Sequence, residues 1–377
     1  MIKILFIHSQ LVCGGAEQAL FDLVTQMDKT KYKITVLVQF EGGVWEQRFR
    51  DAGIDIHSPW SFQKQSQNPF VKLHNLYKRI RVKKAMDHNG EDLLTICLNE
   101  NFDIIVSYGL WFMQQMCFAG EAKTVKFIHG DMETDPKFCK NIMETLPLIQ
   151  RFDRIICVSE RARKSFCEIT GITNNVSVHF NPLNSNNIRI RSYDKVLLPN
   201  DLPLICAVGR LVEEKGFARL ICIHKRLVED GVSHRLIIVG DGREKERLTS
   251  LIQEIHAEDS VIMVGYQRNP YPYIAHSKFL ICSSYTEGMG IVAMEALLLG
   301  IPVVSSAPSV GELFGEEFCG IITGRDDQSL EEGIRCMLEN PAIYEKAKLG
   351  AERRGSFFDG QRMTREIEEE FFKLMAE

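Results

Sequence analysis

The sequence predicts an α/β protein made of two doubly wound domains that face each other across a cleft. Three observations support this fold class. The chain has 377 residues, which is too long for one ordinary hydrophobic core. Short apolar runs alternate with longer amphipathic segments along its whole length, as in parallel sheets covered by helices on both faces. A stretch rich in Asn and Pro, residues 181–203, separates two such series, and we expect it to be the interdomain linker.

Twelve strands are predicted, six in each half, because each run is rich in β-branched or other apolar residues. In the first half they are IKILFIH, YKITVLVQF, FDIIVSYG, KTVKFIHG, DRIICVSE and NVSVHFN. In the second half they are PLICAVGR, HRLIIVGDG, VIMVGY, KFLICSS, IPVVSS and CGIIT. The chain closes on an acidic amphipathic helix, QRMTREIEEEFFKLMAE. We therefore assign residues 1–182 to a first domain, 183–355 to a second and 356–377 to a closing helix.

Composition excludes several classes of protein. With 45% hydrophobic and 25% charged residues, the chain is typical of soluble globular proteins, and its net charge of −5 argues against a general nucleic-acid binder. The 11 cysteines include no Cys-x-x-Cys pair, which favours reduced thiols over a disulfide or zinc framework. The first apolar run is too short for a signal peptide, and no run approaches the ~18 residues of a membrane span. We expect a cytoplasmic protein.

A basic segment, residues 68–88, carries its cations opposite apolar residues that recur at helical spacing. Such a helix can lie on an anionic membrane surface, here the inner face of the cytoplasmic membrane. It can equally be a solvated helix that packs by its apolar stripe, and the sequence leaves both readings open. The membrane-surface candidates are Lys72, Lys78, Arg79, Arg81, Lys83 and Lys84.

Loops that follow strands carry the residues suited to phosphate binding. Ligands of open parallel sheets bind beyond the carboxyl ends of the strands. Gly14 and Gly15 follow the first strand and precede a helix, whose N-terminal N–H groups can receive an anion. In the second domain, Arg210 ends a strand and Lys215 opens the next helix, so both cations can hold a diphosphate. A tight turn in the first case and isolated surface cations in the second remain the alternatives.

His129 ends another strand of the first domain, in FIHGD, and is expected to hydrogen-bond a substrate; His8 is similarly placed. Asp131, Glu133 and Asp135 alternate in the following polar loop, and we expect them to be solvated. The sequence contains no Gly-x-Ser-x-Gly, no His-Glu-x-x-His and no run of metal-ligand His or Cys. We therefore predict no metal and no cofactor.

The stretch EGMGIVAME holds Glu287 and Glu295 with seven residues between them. Together with GRLVEEKGF, VGDG, GYQRNPYPYI, GIPVVSS and SVGELF, in that order, it resembles the retaining, nucleotide-sugar-dependent glycosyltransferases of the GT-B fold, family 4 and group 1 type. The resemblance covers nearly the whole chain and is greatest to the subgroup that makes bacterial surface polysaccharides such as capsule and O-antigen. It implies two Rossmann-like domains, the first on the acceptor side and the second binding the donor, with the closing helix crossing back to the first.

The resemblance also implies roles for individual residues. Glu287 would contact hydroxyls of the donor sugar, and Glu295 would hydrogen-bond the ribose. Arg210 and Lys215 would hold the diphosphate, and His129 would contact the transferred sugar. Backbone groups would complete the donor site, and those around Tyr266 and Gln267 would contact the nucleobase. Those positions are Gly14, Gly15, Tyr266, Gln267, Gly288, Gly290 and Ile291.

The implied activity is metal-independent transfer of a hexose or N-acetylhexosamine from a nucleotide diphosphate sugar to a glycan or polyprenyl-linked acceptor. A uridine diphosphate donor is the commonest in this family, and a guanosine donor stays open. Two alternatives also stay open: a nucleotide-sugar epimerase of the same fold, and a non-catalytic partner subunit that binds a nucleotide sugar. The sequence does not identify the sugar, the acceptor or the oligomeric state.

Overall fold

A computed structural model describes residues 1–12, 14–59, 100–109, 114–118, 120–199 and 201–377, with scattered residues between 73 and 98. The chain divides into two compact units. Unit 1 comprises residues 1–181 and 361–377, and unit 2 comprises residues 182–360. Each unit holds one sheet whose strand pairs are all parallel, which confirms the predicted class of two doubly wound α/β domains.

The sheet of unit 1 has seven strands in the order β3-β2-β1-β4-β5-β6-β7. Their bounds are β1 Ile2–His8, β2 Tyr32–Val38, β3 Asp55–His57, β4 Ile104–Ser107, β5 Lys123–Ile128, β6 Arg154–Cys157 and β7 Val176–Val178. Six of them confirm the predicted runs. The sequence analysis missed β3 because it has three residues, of which only Ile56 is buried, too few to show a strand period.

Six helices of unit 1 are described. They are α1 Gly15–Gln26, α2 Glu46–Asp51, α3 Pro136–Glu144, α4 Leu146–Ile149, α5 Glu160–Thr170 and, from the end of the chain, α14 Gly360–Ala376. A 3₁₀ turn spans Gln114–Phe118. Side-chain caps set two of the helix starts, because the side chains of Asp135 and Ser159 accept the N–H groups of Phe138 and Ala162.

The sheet of unit 2 has six strands in the order β10-β9-β8-β11-β12-β13. Their bounds are β8 Leu204–Val208, β9 Arg235–Val239, β10 Val261–Gly265, β11 Phe279–Cys282, β12 Val303–Ser305 and β13 Gly320–Ile322. All six predicted strands of this half are confirmed. Residues such as Ile205, Ile237 and Ile281 are almost fully buried, as expected of central parallel strands covered on both faces.

Eight helices of unit 2 are described. They are α6 Ser185–Arg191, α7 Phe217–Glu229, α8 Lys245–Glu254, α9 Tyr271–Ala275, α10 Ile291–Leu298, α11 Gly311–Phe314, α12 Asp327–Glu339 and α13 Pro341–Gly355. Two 3₁₀ turns span Glu213–Lys215 and Pro308–Val310.

Helix α6 corrects the linker prediction, because it lies inside residues 181–203. Asn184 caps it by accepting the N–H of Asn187, so the Asn-rich composition here marks a helix start. Its end is tied to the loop after β10, where Arg191 donates to the carbonyl oxygen of Arg268 over 2.8 Å. This part of the chain is therefore built into unit 2.

The strand orders place one topological switch point in each sheet. In unit 1 the order reverses between β1 and β4, and in unit 2 it reverses between β8 and β11. Ligands of doubly wound folds bind beyond the carboxyl ends of the strands at such points. The loops after these four strands are therefore the first places to look for a binding site.

Helix α14 closes unit 1 through polar and apolar contacts. Glu368 Oε1 accepts the N–H of Asp28 over 2.7 Å, and Glu370 pairs with Arg154 at 3.2 Å. Phe371 is fully buried and lies 6.5 Å, ring to ring, from Phe6 of β1. The last helix of the chain is thus part of the core that supports β1.

The basic segment is only partly described. Lys72, Lys78, Arg79 and Lys83 lie outside the described residues, whereas Arg81 and Lys84 are exposed on helical backbone. The apolar stripe does not pack against unit 1, because its described members are 53–66% exposed; they are Leu73, Leu76, Tyr77 and Ile80. These four side chains therefore do not pack the segment, whereas Val82 of the same segment is fully buried in the core of unit 1. Among the described residues, no helix is long and apolar enough to cross a membrane.

Candidate functional site

Two loops meet at the switch point of unit 2, one after β8 and one after β11. They carry Lys215 and Glu287, 72 residues apart in sequence, whose side chains form an ion pair between Nζ and Oε1. Both side chains are largely buried, with 26% and 12% exposed. The structure therefore brings together the predicted diphosphate-binding cation and the predicted sugar-binding carboxylate.

A framework of serines holds Glu287. Ser284 Oγ donates to Glu287 Oε1 over 2.7 Å, and Ser309 Oγ donates to the main-chain oxygen of Glu287 over 2.9 Å. Lys215 Nζ and Ser284 Oγ both donate to Oε1, whereas no donor among the described residues bonds to Oε2. That oxygen can accept a hydrogen bond from a ligand hydroxyl.

The same loop is tied to the 3₁₀ turn that precedes α7. The N–H of Tyr285 donates to the carbonyl oxygen of Glu214 over 2.9 Å, and Ser283 Oγ donates to that of Lys215 over 2.8 Å. Gly216, which follows the turn, has φ +66° and packs directly on the carbonyl oxygen of Ser283. A side chain at that position would push the two loops apart, so glycine is required by both φ and space.

Arg210 follows β8 and is exposed, and no described side chain forms an ion pair with it. Its backbone is fixed by the loop after β9, because Leu211 N–H donates to Asp241 O over 2.9 Å. Gly240 and Gly242 lie so close to this strand end that a Cβ on either would overlap carbonyl oxygens of the opposite loop. The VGDG motif thus shapes the loop that presents the guanidinium of Arg210.

The motif EGMGIVAME spans the loop after β11 and the start of α10. Gly290 has φ +80° and is the N-cap of α10, which begins at Ile291. Glu295 lies inside the helix and is 7% exposed. The two glutamates therefore occupy different elements, one in the loop and one in the helix, with Gly288 and Gly290 between them. The N–H groups at the start of α10 are suited to an anion.

Tyr266 and Gln267 follow β10, one strand beyond β9 at the edge of the sheet. Tyr266 is 46% exposed, and Gln267 Nε2 donates to the carbonyl oxygen of Val264 over 2.9 Å. Gly265, at φ +72°, turns the chain at this point. The loop is held by the Gln267 side chain and by its bond to Arg191 of α6, and its role toward a nucleobase stays a prediction.

In unit 1, His129 follows β5 and packs against Tyr108, which follows β4, with ring centroids 4.4 Å apart. The pKa of His129 is lowered to about 3, mainly by burial and also by the nearby His8 and Lys126, while a hydrogen bond to the Tyr108 backbone raises it. The other ring nitrogen, Nε2, is buried without a hydrogen-bond partner. His129 is therefore a neutral imidazole with an acceptor nitrogen left for a ligand.

His8, at the end of β1, forms a buried pair with Glu17, with 3.1 Å between Nε2 and Oε1. Glu17 lies in the first turn of α1, and its other carboxylate oxygen sits against Gly14. The helix start that Gly14 and Gly15 were predicted to offer to phosphate thus already faces a carboxylate. Phosphate binding by these glycines stays a prediction, and the carboxylate of Glu17 would compete with a phosphate there.

The expectation that Asp131 is solvated is wrong. Its side chain is 1% exposed and pairs with Arg161, with 2.5 Å between Oδ2 and Nε. Arg161 also pairs with Glu133, and Asp135 caps α3, so the alternating carboxylates serve helix and loop structure. Among the described residues, no group of three or more His, Cys, Asp or Glu side chains could hold a metal ion.

Sequence reasoning missed the serine framework. Ser283 and Ser284 directly follow β11, and the pair Ser305–Ser306 ends β12, the neighbouring strand. Both serine pairs stood at predicted strand ends, where polar residues gather around a ligand. The recurrence of a serine pair at the ends of two predicted strands could have indicated this framework.

Two family models match the chain. The model described as "Glycosyltransferase Family 4" matches residues 13–186, and the one described as "Glycosyl transferases group 1" matches residues 189–354. Together they span nearly the whole chain. Their division falls within helix α6, close to the boundary between the two units.

Relatives and solved structures agree with these matches. The chain is 26% identical, over 96% of its length and 97% of the relative, to N-acetylgalactosamine-N,N'-diacetylbacillosaminyl-diphospho-undecaprenol 4-alpha-N-acetylgalactosaminyltransferase of Campylobacter jejuni. It is 22% identical, over 65% of each chain, to a capsular polysaccharide biosynthesis glycosyltransferase of Staphylococcus aureus.

Two solved structures share the fold over the full length. Anabaena HepE in complex with UDP and glucose has a TM-score of 0.75 at 20% identity, over 99% of this chain and all of the other. A mutant of TarM from S. aureus has a TM-score of 0.77 at 13% identity, over all of both chains. With the GT-B architecture confirmed and both halves matched, the chain belongs to the glycosyltransferases of the family 4 and group 1 type.

Proposed function

We propose that this glycosyltransferase moves a hexose or N-acetylhexosamine from a UDP-sugar to a glycan or lipid-linked glycan acceptor in cell-surface polysaccharide biosynthesis, with retention of configuration and without a metal. The Lys215–Glu287 pair carries the proposal, because it sets a cation for the diphosphate beside a carboxylate for sugar hydroxyls. Two comparisons support the substrates. The C. jejuni relative is named for a diphospho-undecaprenol-linked acceptor, and HepE was crystallised with UDP and glucose.

In the reaction, the bond between the anomeric carbon and the diphosphate oxygen breaks, and its electron pair goes to that oxygen. Charge therefore grows on the leaving phosphate while the sugar becomes cation-like. Preorganised donors aimed at such charge are usually the largest catalytic contribution. Lys215, Arg210 and the N–H groups at the start of α10 supply them, and Glu287 Oε2 accepts a hydrogen bond from a hydroxyl of the donor sugar.

Retention is assigned to attack from the face that the diphosphate leaves. The acceptor hydroxyl forms the new bond to the anomeric carbon, and its proton passes to the departing phosphate oxygen. No protein carboxylate then has to act as a nucleophile. Cations around the diphosphate replace the divalent metal that other transferases use, which is why the proposal includes metal independence.

His129 contributes an acceptor and no charge in this scheme. Because burial holds its pKa near 3, the imidazole stays neutral at physiological pH. Its buried and unpartnered Nε2 can accept a hydrogen bond from a sugar hydroxyl.

Membrane contact forms a second part of the proposal. Leu73, Leu76, Tyr77 and Ile80 are all more than half exposed, and the sequence places several cations around them. Apolar side chains entering the acyl boundary and cations meeting anionic headgroups together bind a helix to a bilayer surface. We expect cosedimentation with anionic vesicles that is lost in the variant Leu76→Asp/Ile80→Asp and kept in Ile190→Asp, which changes an exposed apolar residue of unit 2. Equal sedimentation of all three proteins would contradict this contact.

A panel of nucleotide sugars tests the donor. Thermal stabilisation and slow donor hydrolysis need no acceptor, and each reports on base and sugar together. We expect UDP-sugars to stabilise and to be hydrolysed, and GDP-sugars to do neither. Conversion of the donor to an epimer without acceptor would instead identify an epimerase. Binding of a nucleotide sugar with no hydrolysis and no transfer to any supplied glycan would favour a non-catalytic subunit.

A further inference from the structure

Arg219 is a charged side chain that the proposed reaction does not use, although it lies in the first turn of α7, beside the Lys215 turn. It is 6% exposed. Burial lowers its pKa, which shows that its environment opposes the charge. Burying a guanidinium costs free energy unless its donors are satisfied. Its contacts should therefore show what the residue is for.

The guanidinium of Arg219 binds three loops at the carboxyl edge of the sheet. Its Nε and Nη2 donate to the carbonyl oxygen of Ser283, over 3.0 and 2.6 Å, in the loop after β11. Its Nη2 also donates to Ser306 Oγ over 2.5 Å, after β12, and its Nη1 to the carbonyl oxygen of Arg325 over 2.6 Å, after β13. The nearest carboxylate, that of Asp327, is 3.7 Å away and half exposed. The guanidinium of Arg219 therefore donates mainly to neutral oxygens of the three loops.

A hydrogen-bond chain leads from Arg219 to the proposed sugar-binding carboxylate. Ser306 Oγ, which accepts from Arg219, donates to the carbonyl oxygen of Ser284 over 3.0 Å. Ser284 Oγ in turn donates to Glu287 Oε1. The ring centroid of Tyr285 lies 4.1 Å from the guanidinium carbon, so a cation–π contact adds to the hydrogen bonds that hold this loop.

Arg219 also reaches the other member of the pair. Ser283, whose carbonyl oxygen accepts two of its bonds, donates through Oγ to the main chain of Lys215. Gly216 packs between that carbonyl and Arg219 Nε, and a Cβ on it would lie 2.9 Å from this nitrogen. Both loops that present the Lys215–Glu287 pair are therefore held by the same guanidinium.

We infer that Arg219 is a positioning residue that fixes the Lys215–Glu287 pair in its sugar-binding geometry. This inference rests on the proposed function. A lysine at this position keeps the charge but cannot reach three loops with one planar fork. Arg219→Lys should therefore impair reaction of the donor sugar. The binding of UDP alone should stay nearly unchanged, because Arg219 acts on the main chain at Lys215 and the flexible side chain of Lys215 can still reach the diphosphate.

The experiment compares Arg219→Lys and Ser306→Ala with Arg226→Lys, a matched control on α7 that is half exposed and pairs with Glu331 of α12. Kinetics of UDP-sugar hydrolysis and calorimetric titration with UDP are measured for each folded variant. We expect Arg219→Lys to lower kcat/KM about tenfold or more, on the scale of a small misplacement of reacting groups, with the UDP dissociation constant changed less than about twofold. Ser306→Ala should lower it in the same sense, and Arg226→Lys should not.

A double-mutant cycle with Glu287→Gln separates positioning from general damage. If Arg219 acts through Glu287, its replacement should cost less than about twofold in the Glu287→Gln background, because interacting residues are not additive. Equal losses in both backgrounds, or parallel losses of UDP binding and hydrolysis, would overturn the inference while leaving the proposed function intact. Failure of the wild-type protein to bind or hydrolyse any nucleotide sugar would overturn both.

Discussion

Replacing Glu287 with Gln isolates the contribution of one carboxylate to sugar recognition. In the structure, Oε1 accepts bonds from Lys215 and Ser284, and Oε2 is left for a ligand. The amide keeps the side-chain volume. Its oxygen will face Lys215, so its NH₂ group takes the place of Oε2 and presents donors where the sugar hydroxyl needs an acceptor.

The expected loss follows from that exchange. A hydrogen bond to a charged group is worth about 1.5–3 kcal/mol, and about 1.4 kcal/mol is a factor of ten in an equilibrium constant. We therefore expect kcat/KM for UDP-sugar hydrolysis to fall about tenfold to a hundredfold. The affinity for UDP should stay the same or rise, since the variant removes a negative charge beside the cation that holds the diphosphate.

Calorimetry with UDP and with the intact UDP-sugar gives the two affinities, and hydrolysis rates give kcat/KM. Glu332→Gln is the control, because Glu332 is exposed on α12 and accepts a hydrogen bond from Gln328 of the same helix. Equal weakening of UDP and UDP-sugar binding would refute the assignment of Glu287 to the sugar. So would a variant that hydrolyses the donor at the wild-type rate.

Three further predictions follow from the structure. Gly216→Ala should destabilise the protein by at least about 1–2 kcal/mol in chemical denaturation, because φ is +66° and the new Cβ overlaps the carbonyl oxygen of Ser283. The control Gly231→Ala shares the positive φ but its Cβ meets no atom within 4 Å, so it should destabilise the protein less. The pKa of both His129 and His224 is lowered to about 3, mainly by burial. Below a pH of about 6.5 the unfolded chain therefore binds more protons than the folded protein, and the free energy of unfolding should decline as the pH falls toward 3. His224→Gln should flatten that decline, and an unchanged slope would contradict it. Transfer activity should survive removal of divalent metals by a chelator, and loss of activity that added Mg²⁺ or Mn²⁺ restores would show a metal requirement.

The fold was largely predictable from sequence, because long buried strands and their following turns leave strong local patterns. The strand β3 and helix α6 were not. β3 has three residues and one buried side chain, and α6 was hidden by an Asn-rich composition that the structure uses for helix capping. In both cases, pairing or packing with the rest of the unit determines the structure where the local period is too short to show it.

The candidate site was predictable residue by residue but not as a set of contacts. A strand-end position pointed to Lys215 and the family resemblance pointed to Glu287, and only the strand order places their loops on the two sides of one switch point. The role of Arg219 could not be foreseen, since a single arginine in an amphipathic helix is ordinarily a surface residue. Its burial depends on three loops that are 64 to 106 residues away in sequence.

The first-formed anomer of the released sugar tests the central claim most directly. Proton NMR can follow hydrolysis of an α-linked UDP-sugar before mutarotation mixes the products. Retaining transfer from a donor held by Lys215 and Glu287 predicts that the α anomer appears first, and that Glu287→Gln slows its appearance. Release of the β anomer first, or an epimerised donor with no sugar released, would contradict the account.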